Sequence, residues 1–276
     1  MNQSASVMLS PTEQTAFITL KAHAADAKSK HPILNDQQSL AIMKSVSFDF
    51  SKIQGSKKME MKEQFATVIR GKLLDQWVVQ FVANYPDAVI IDLGCGLDNR
   101  SERHTLPKNV DWFNVDLEGI ITLRDDFYPG SDKTHNIAVA AGDLSWLSQI
   151  PSGRPALFIA DGFMPFVETA YYVKLLNALP TVCPRGEFIM NGYTKLAAKA
   201  LPHVRGIKDL GVKTYPGFDD PRQVERWTPA LHFKDQRRLV DSQYVDYMPL
   251  GYRLQCKITR LPLLNKLDIG VLRYTF

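Results

Sequence analysis

Five times between residues 88 and 190 the chain enters a short apolar run and leaves it within a few residues: AVIIDLG from 88, then 112–115, 137–140, 156–160 and 187–190. None of these runs alternates with polar residues. A strand with one wet face alternates, whereas a strand covered on both faces does not. The runs therefore predict parallel strands lying between two layers of helices. Segment 169–179 (TAYYVKLLNAL), between the last two runs, has helical composition and is followed by Pro180. Strand, helix and strand in turn predict a doubly wound α/β sheet, and the closing DIGVLRYTF reads as a further strand.

The first 86 residues lack such runs. Residues 15–27 place Phe17, Leu20 and Ala24 on one helical face, and residues 62–85 repeat Phe65, Ile69, Leu73, Trp77 and Phe81 every fourth position before Pro86. Both patterns predict helices with one buried stripe. Residues 1–86 are thus expected to form a helical cap on a core spanning 87–276. Within that core, 192–247 is rich in turn formers and is expected to hold a substrate-lid insertion. Residues 249–261 carry Leu250, Leu254, Ile258 and Leu261 on one helical face and Arg253, Lys257 and Arg260 on another, an amphipathic helix whose basic row is expected to be wetted.

With 45% hydrophobic and 22% charged residues the chain can bury a core and is not of the disordered class. Its 33 Lys plus Arg against 29 Asp plus Glu leave only +4, spread along the chain, too diffuse to imply nucleic acid. Cys95, Cys183 and Cys256 are far apart, without a disulfide or zinc pattern, so a reducing compartment is expected. The six histidines show no metal-ligand spacing, and no metal is expected. The N-terminal stretch lacks the marks of a signal peptide, and no apolar run reaches the roughly 18 residues of a membrane span. A soluble, cytoplasmic protein is expected, with a small-molecule partner, neither nucleic acid nor membrane, and an open oligomeric state.

The chemistry concentrates at the strand ends. DLGCGLDNR (92–100) follows the first run. Gly94 and Gly96 let backbone approach a ligand closely. The third glycine of a dinucleotide fingerprint is absent, Asn99 standing near its place. Asp92, just before the turn, suits a cationic ligand better than a pyrophosphate, which favours S-adenosylmethionine over NAD. Asp116 ends the next strand, about twenty residues on, where a carboxylate accepts from ribose hydroxyls. Asp143 and Leu144 follow the third run, suited to an adenine amino group and its apolar edge, and Asp161 follows the fourth. Ligands of open α/β sheets bind outside such strand ends. Cys95 reads as a small buried side chain, and Phe163, Tyr193 and Trp227 as core or cavity aromatics.

DLGCGLDNR, NVD, GDL and ADGFMPF, in this order, resemble the leucine carboxyl methyltransferase family, with the TcmP-like O-methyltransferases among its bacterial members. The family's first motif commonly reads DLGxGLDTR, and Asn99 replaces its threonine. The resemblance extends to 15–36, with Lys21, Ala22, Pro32 and Asp36 at matching places, to Arg70, and to the tail LPLLNKLDIGVLRYTF. It implies a Rossmann-like, seven-stranded, mostly parallel sheet using S-adenosylmethionine, with Lys21 and Arg70 on the cofactor's carboxylate and Gly94, Gly96, Asp116, Asp143, Leu144 and Asp161 among its contacts. Asp161 stands where the family often has glutamate. The acceptor implied is a carboxylate or hydroxyl of a small molecule, such as a polyketide-like metabolite. A protein C-terminal carboxylate, or a non-catalytic or NAD-binding Rossmann protein, stays open. No catalytic residue is assigned; His203 and His232 are the candidate bases should the acceptor be a phenol or alcohol.

Overall fold

Seven strands form one sheet in the order β3-β2-β1-β4-β5-β7-β6. The computed structural model describes residues 8–55, 57–183, 185–261, 264 and 267–276. Residues 1–7 of the N-terminal stretch, and Pro262, Leu263, Asn265 and Lys266 of the family-like tail, lie outside the described residues. The chain opens with α1 (Pro11–Gln14), α2 (Ala16–Ala27), α3 (Gln37–Ser45) and the long α4 (Lys57–Asn84). There follow β1 (Val89–Leu93), α5 (Arg100–Arg103), β2 (Asp111–Leu117), α6 (Glu118–Asp125), β3 (Thr134–Val139), β4 (Ala156–Ala160), α7 (Thr169–Val182) and β5 (Gly186–Asn191). The remainder holds α8 (Lys195–Ala200), α9 (Arg205–Leu210), α10 (Gln223–Trp227), β6 (His232–Arg237), α11 (Leu250–Thr259) and β7 (Val271–Thr275).

β1 pairs in parallel with β2 and β4, β2 with β3 and β4 with β5, while β7 runs antiparallel to both β5 and β6. The central strands are buried along their length, and successive residues enter opposite cores. Val89, Ile91 and Leu93 of β1 join Phe158 and the helix residues Leu175, Leu176 and Leu179 on one side. Ile90, Leu157 and Ile159 pack against Leu74, Trp77, Val78 and Phe81 of α4 on the other. Two apolar faces per strand account for the unbroken runs.

Where expectation and structure part, tertiary context is the reason. The helix read as 62–85 begins at Lys57 and ends at Asn84, and the one read as 169–179 continues through Pro180 to Val182. Proline in a final turn forfeits one hydrogen bond and blocks little beyond it. β6 lies inside the segment assigned to a lid, and its sequence HFKDQR belongs to a sheet edge, where charged side chains discourage further pairing. α11 departs furthest: none of its residues is buried, and Leu250, Leu254, Ile258 and Leu261 face outward.

α2 buries Phe17, Leu20 and Ala24 as the spacing predicts. It lies on α4, so that the N-terminal helices roof the carboxyl edge of the sheet. Asp26 holds the following loop by accepting from Ile33 N, Leu34 N and Asn35 N, and Asp36 caps α3 by accepting from Ser39 N at 3.1 Å.

Candidate active site

A cavity of about 1070 Å³ opens between the strand ends, the N-terminal helices and α8, α9 and α11. Ligand pockets commonly run from roughly 300 to 1,000 Å³, so this one lies at the top of that range. Its sheet side is polar, with Asp92, Asp98, Asp116, Asp161, Arg70 and Arg100. Its far side is largely apolar, with Ile18, Ile53, Phe166, Leu196, Ile207 and Tyr215 among the wall residues.

The turn after β1 is held by backbone and by one buried arginine. Gly94 N donates to Val115 O at 2.8 Å, and Gly96 N donates to the Asp116 carboxylate at 2.7 Å. Gly94 and Gly96 have φ of +64° and +55°, the left-handed region in which a side chain is strained. Arg124 of α6, fully buried, donates to Gly96 O at 3.1 Å and Asp98 O at 2.7 Å, tying down the far limb of the turn. Cys95 is buried within it, and burial pushes its thiol well above its ordinary range, so it stays protonated and is no nucleophile.

Beneath the turn lies a network of charges that binds elements distant in sequence. Arg100, 1% exposed, reaches Asp75 (2.9 Å), Asp92 (3.4 Å), Asp98 (3.3 Å) and Asp161 (2.7 Å). Arg103 adds Asp75 at 2.8 Å and Asp98, and Arg70 Nε meets the other oxygen of Asp161 at 2.7 Å. Arg70 also donates to Tyr193 Oη at 3.3 Å. Burial works to raise Asp75, yet Arg103, the His104 hydrogen bond and Arg100 together hold it well below the usual carboxylate range. Burial wins at Asp92, whose pKa rises to about 7 because Arg100 is shared among four carboxylates. Burial likewise lifts Asp116 to about 6, against the lowering hydrogen bonds from Gly96 and Leu117 N–H.

Of the residues expected to contact a cofactor, Arg70, Asp92, Gly94, Gly96, Asp116 and Asp161 come together in the cavity wall. Lys21, Asp143 and Leu144 do not appear among its described lining residues. Asp143 is exposed and spends its carboxylate on its own turn, accepting from Ser145 N (2.8 Å) and Oγ (2.7 Å); Ala140, Ala141, Gly142 and Trp146 form the wall there. His203 and His232 are exposed and also outside it, which removes both candidate bases. Phe163 and Tyr193 line the cavity, whereas Trp227 packs edge-on against Tyr172 and Phe218. Asn99 accepts from Arg103 at 2.6 Å. Sequence reasoning missed Arg100, Arg103, Asp75 and Arg124. GLDNR was the available signal for Arg100, but its partner Asp75 lies on α4, and nothing local marks that pairing.

The parallel strand order with its antiparallel β7 and a polar cleft at the strand ends defines a Rossmann-like methyltransferase that uses S-adenosylmethionine. Residues 16–179 match the leucine carboxyl methyltransferase family, and the chain belongs to that family. It is 29% identical over 271 residues to the tetracenomycin polyketide synthesis O-methyltransferase TcmP of Streptomyces glaucescens, covering 98% of each chain. It is also 27% identical to the S-adenosyl-L-methionine-dependent methyltransferase dpfgK of Gibberella zeae, covering 89% of this chain and 87% of that one. Among solved structures, a DUF574 family protein from Streptomyces avermitilis shares the fold at a TM-score of 0.58 with 11% identity, each chain 95% covered. A structure described as a methyltransferase from Thermobifida fusca does so at 0.56 with 15% identity and 92% coverage of each.

The donor set suits this cofactor. Eight carboxylates among the described residues, with Asp92, Asp98, Asp116 and Asp161 at the strand ends, line the cavity beside Lys62, Arg70 and Arg100, an excess of negative charge fitted to an ammonium and a sulfonium. A pyrophosphate would be repelled there. Among the described residues no group of three or more His, Cys, Asp and Glu is placed to hold a metal, and no helix is long and apolar enough to cross a membrane.

Proposed function

We propose that this enzyme methylates an oxygen, a carboxylate or a phenolic hydroxyl, of a small, largely apolar molecule of polyketide-like character. The observation that carries this reading is the single cavity joining a polar strand edge to an apolar chamber. The likeness to TcmP over nearly the whole chain supports it.

When bound, S-adenosylmethionine supplies a methyl group already activated by its sulfonium. The protein then has to position the acceptor and exclude water. Asp116 would accept from the ribose hydroxyls, Gly94 and Gly96 would give the backbone approach, Arg70 would hold the carboxylate tail, and Asp92 and Asp161 would serve the ammonium. α2, α8, α9 and α11 close the acceptor chamber. No histidine is among the described lining residues; a carboxylate acceptor needs no proton removed, and for a phenolic one the lining carboxylates Glu13, Glu63 and Glu168 are the available bases.

Radiolabelled methyl transfer to a panel of aromatic and aliphatic carboxylic acids and phenols tests this reading. Mild alkali releases the label from a methyl ester but not from an aryl ether, so the same assay identifies the atom. Transfer confined to the C-terminal carboxylate of a peptide would overturn it in favour of protein methylation. Turnover of none of these, with the cofactor bound, would favour a binding protein.

Two further outcomes are expected. Arg70→Ala should weaken S-adenosylmethionine by about 1.5–3 kcal/mol, the worth of a charge-assisted hydrogen bond, while Asp161 keeps Arg100 as partner. An unchanged dissociation constant by calorimetry would return Arg70 to a structural role.

The second concerns pH. With Asp92 at about 7 and Asp116 at about 6, both carboxyls carry protons below those values in the free protein. A neighbouring cation and donating hydroxyls favour the carboxylates, so binding should release protons, and affinity should fall as pH drops through 7 towards 6. Calorimetry in buffers of different ionisation enthalpy reads this directly. Proton uptake on binding would contradict the assignment.

A further inference from the structure

α11 presents three faces. At about 100° per residue, Leu250, Leu254, Ile258 and Leu261 fall within an arc of about 80°. Tyr252, Gln255, Cys256 and Thr259 occupy the opposite arc and line the cavity. Arg253, Lys257 and Arg260 form a row between the two. The apolar row is open to solvent: Leu250 is 68% exposed, Leu254 50%, and Ile258 and Leu261 55% each. Scattered exposed aliphatic residues need no explanation, but three aligned on one helix, with Leu261 just past its end, do. The cavity rim adds Leu196 (61% exposed), Leu267 (46%) and the exposed Lys62.

We propose that α11 is a docking helix for an anionic lipid surface, its leucine row seated at the acyl boundary and its cations among the headgroups. The charges select this occupant. Arg253 leans on Asp246 (3.4 Å), an exposed pair that water weakens, Arg260 pairs with Asp241 (3.3 Å) and donates to Val240 O at 2.8 Å, and Lys257 is exposed beside them. A second copy set antiparallel across a two-fold would bring each basic row against its own image, where like charges repel. An anionic surface instead gains from every cation. The docking is peripheral, and its consequence is chemical. The helix that touches the surface also walls the acceptor chamber, so an apolar acceptor dissolved in lipid reaches the cavity mouth without crossing bulk water.

Vesicle sedimentation of the full chain tests this, and it needs neither cofactor nor acceptor, so its failure is separate from failure of the O-methylation reading. Mixed phosphatidylcholine and phosphatidylglycerol vesicles should carry down the wild-type protein, pure phosphatidylcholine far less, and added salt should release it. The double variant Leu254→Glu, Ile258→Glu should lose about tenfold or more of the bound fraction. Its melting temperature should hold, since both side chains are solvent-facing and outside the described cavity wall. Lys257→Glu should weaken binding to the phosphatidylglycerol vesicles alone. Wild-type protein left in the supernatant, or binding untouched by the double variant, overturns the proposal. So does a stable dimer in light scattering that the double variant dissociates.

Discussion

Arg100→Ala is expected to destabilise the protein by about 3–5 kcal/mol, the cost of leaving buried charges without their partner. Arg100 is 1% exposed and stands among Asp75, Asp92, Asp98 and Asp161. Its removal leaves Asp92 with no ion-pair partner among those described and takes away one of the two arginines on Asp161. Denaturant unfolding followed by circular dichroism measures the loss. Arg253→Ala, in an exposed pair, should change stability by less than about 1 kcal/mol in the same experiment. An Arg100→Ala midpoint as close to wild type as that of Arg253→Ala would mean that the network does not hold these elements together. The same network sets a sign for acid. Asp75 and Asp98 are held below the ordinary carboxylate range, burial being outweighed by Arg103, Arg100 and their hydrogen bonds. The stability they contribute is present above the unfolded carboxylate pKa and is lost as pH falls below it.

Gly94→Val is expected to remove S-adenosylmethionine binding while the sheet stays folded. Two costs coincide. The φ of +64° imposes about 1–2 kcal/mol of strain on any residue with a Cβ, more for a branched one. The added Cβ would also come within 2.6 Å of Phe163 Cδ2. Either the Phe163 ring, which lines the cavity, or the turn must move, and movement of the turn displaces the Gly94 and Gly96 backbone from Val115 and Asp116. Calorimetric titration, paired with a thermal melt, separates lost binding from lost fold. Wild-type affinity in a folded Gly94→Val protein would show that this turn does not approach the cofactor.

The legible parts of the fold are those fixed by burial on both faces. β1, β4 and β5 carry long apolar runs because each contributes to two cores, Asp92, Glu187 and Asn191 being the polar exceptions in β1 and β5, and the fourfold spacing on α4 marks the stripe that reaches Trp77 and Phe81. β6 was not legible. An edge strand of charged residues satisfies no burial pattern, and its pairing with β7 is decided by residues far along the chain. The site divides along the same line. Asp92, Gly94, Gly96, Asp116 and Asp161 follow from their places at strand ends. Asp143 shares that place, but a local turn with Ser145 takes up its carboxylate. Arg100 stands within a motif, yet its partners lie 25 residues back on α4 and 61 residues ahead after β4, distances that no local pattern encodes. The outward face of α11 was unreadable for a different reason: periodicity shows that a helix has an apolar side but not what that side meets.

The claim at the centre of this account is that the carboxyl edge of the sheet holds S-adenosylmethionine, with its sugar at Asp116 and its methyl facing the apolar chamber. A crystal structure of the complex with S-adenosylhomocysteine measures this. The account predicts ribose hydroxyls within hydrogen-bond distance of Asp116 and the sulfur directed at the space bounded by α2, α8 and α11. A ligand seated elsewhere, or a nucleoside that leaves Asp116 uncontacted, would contradict it.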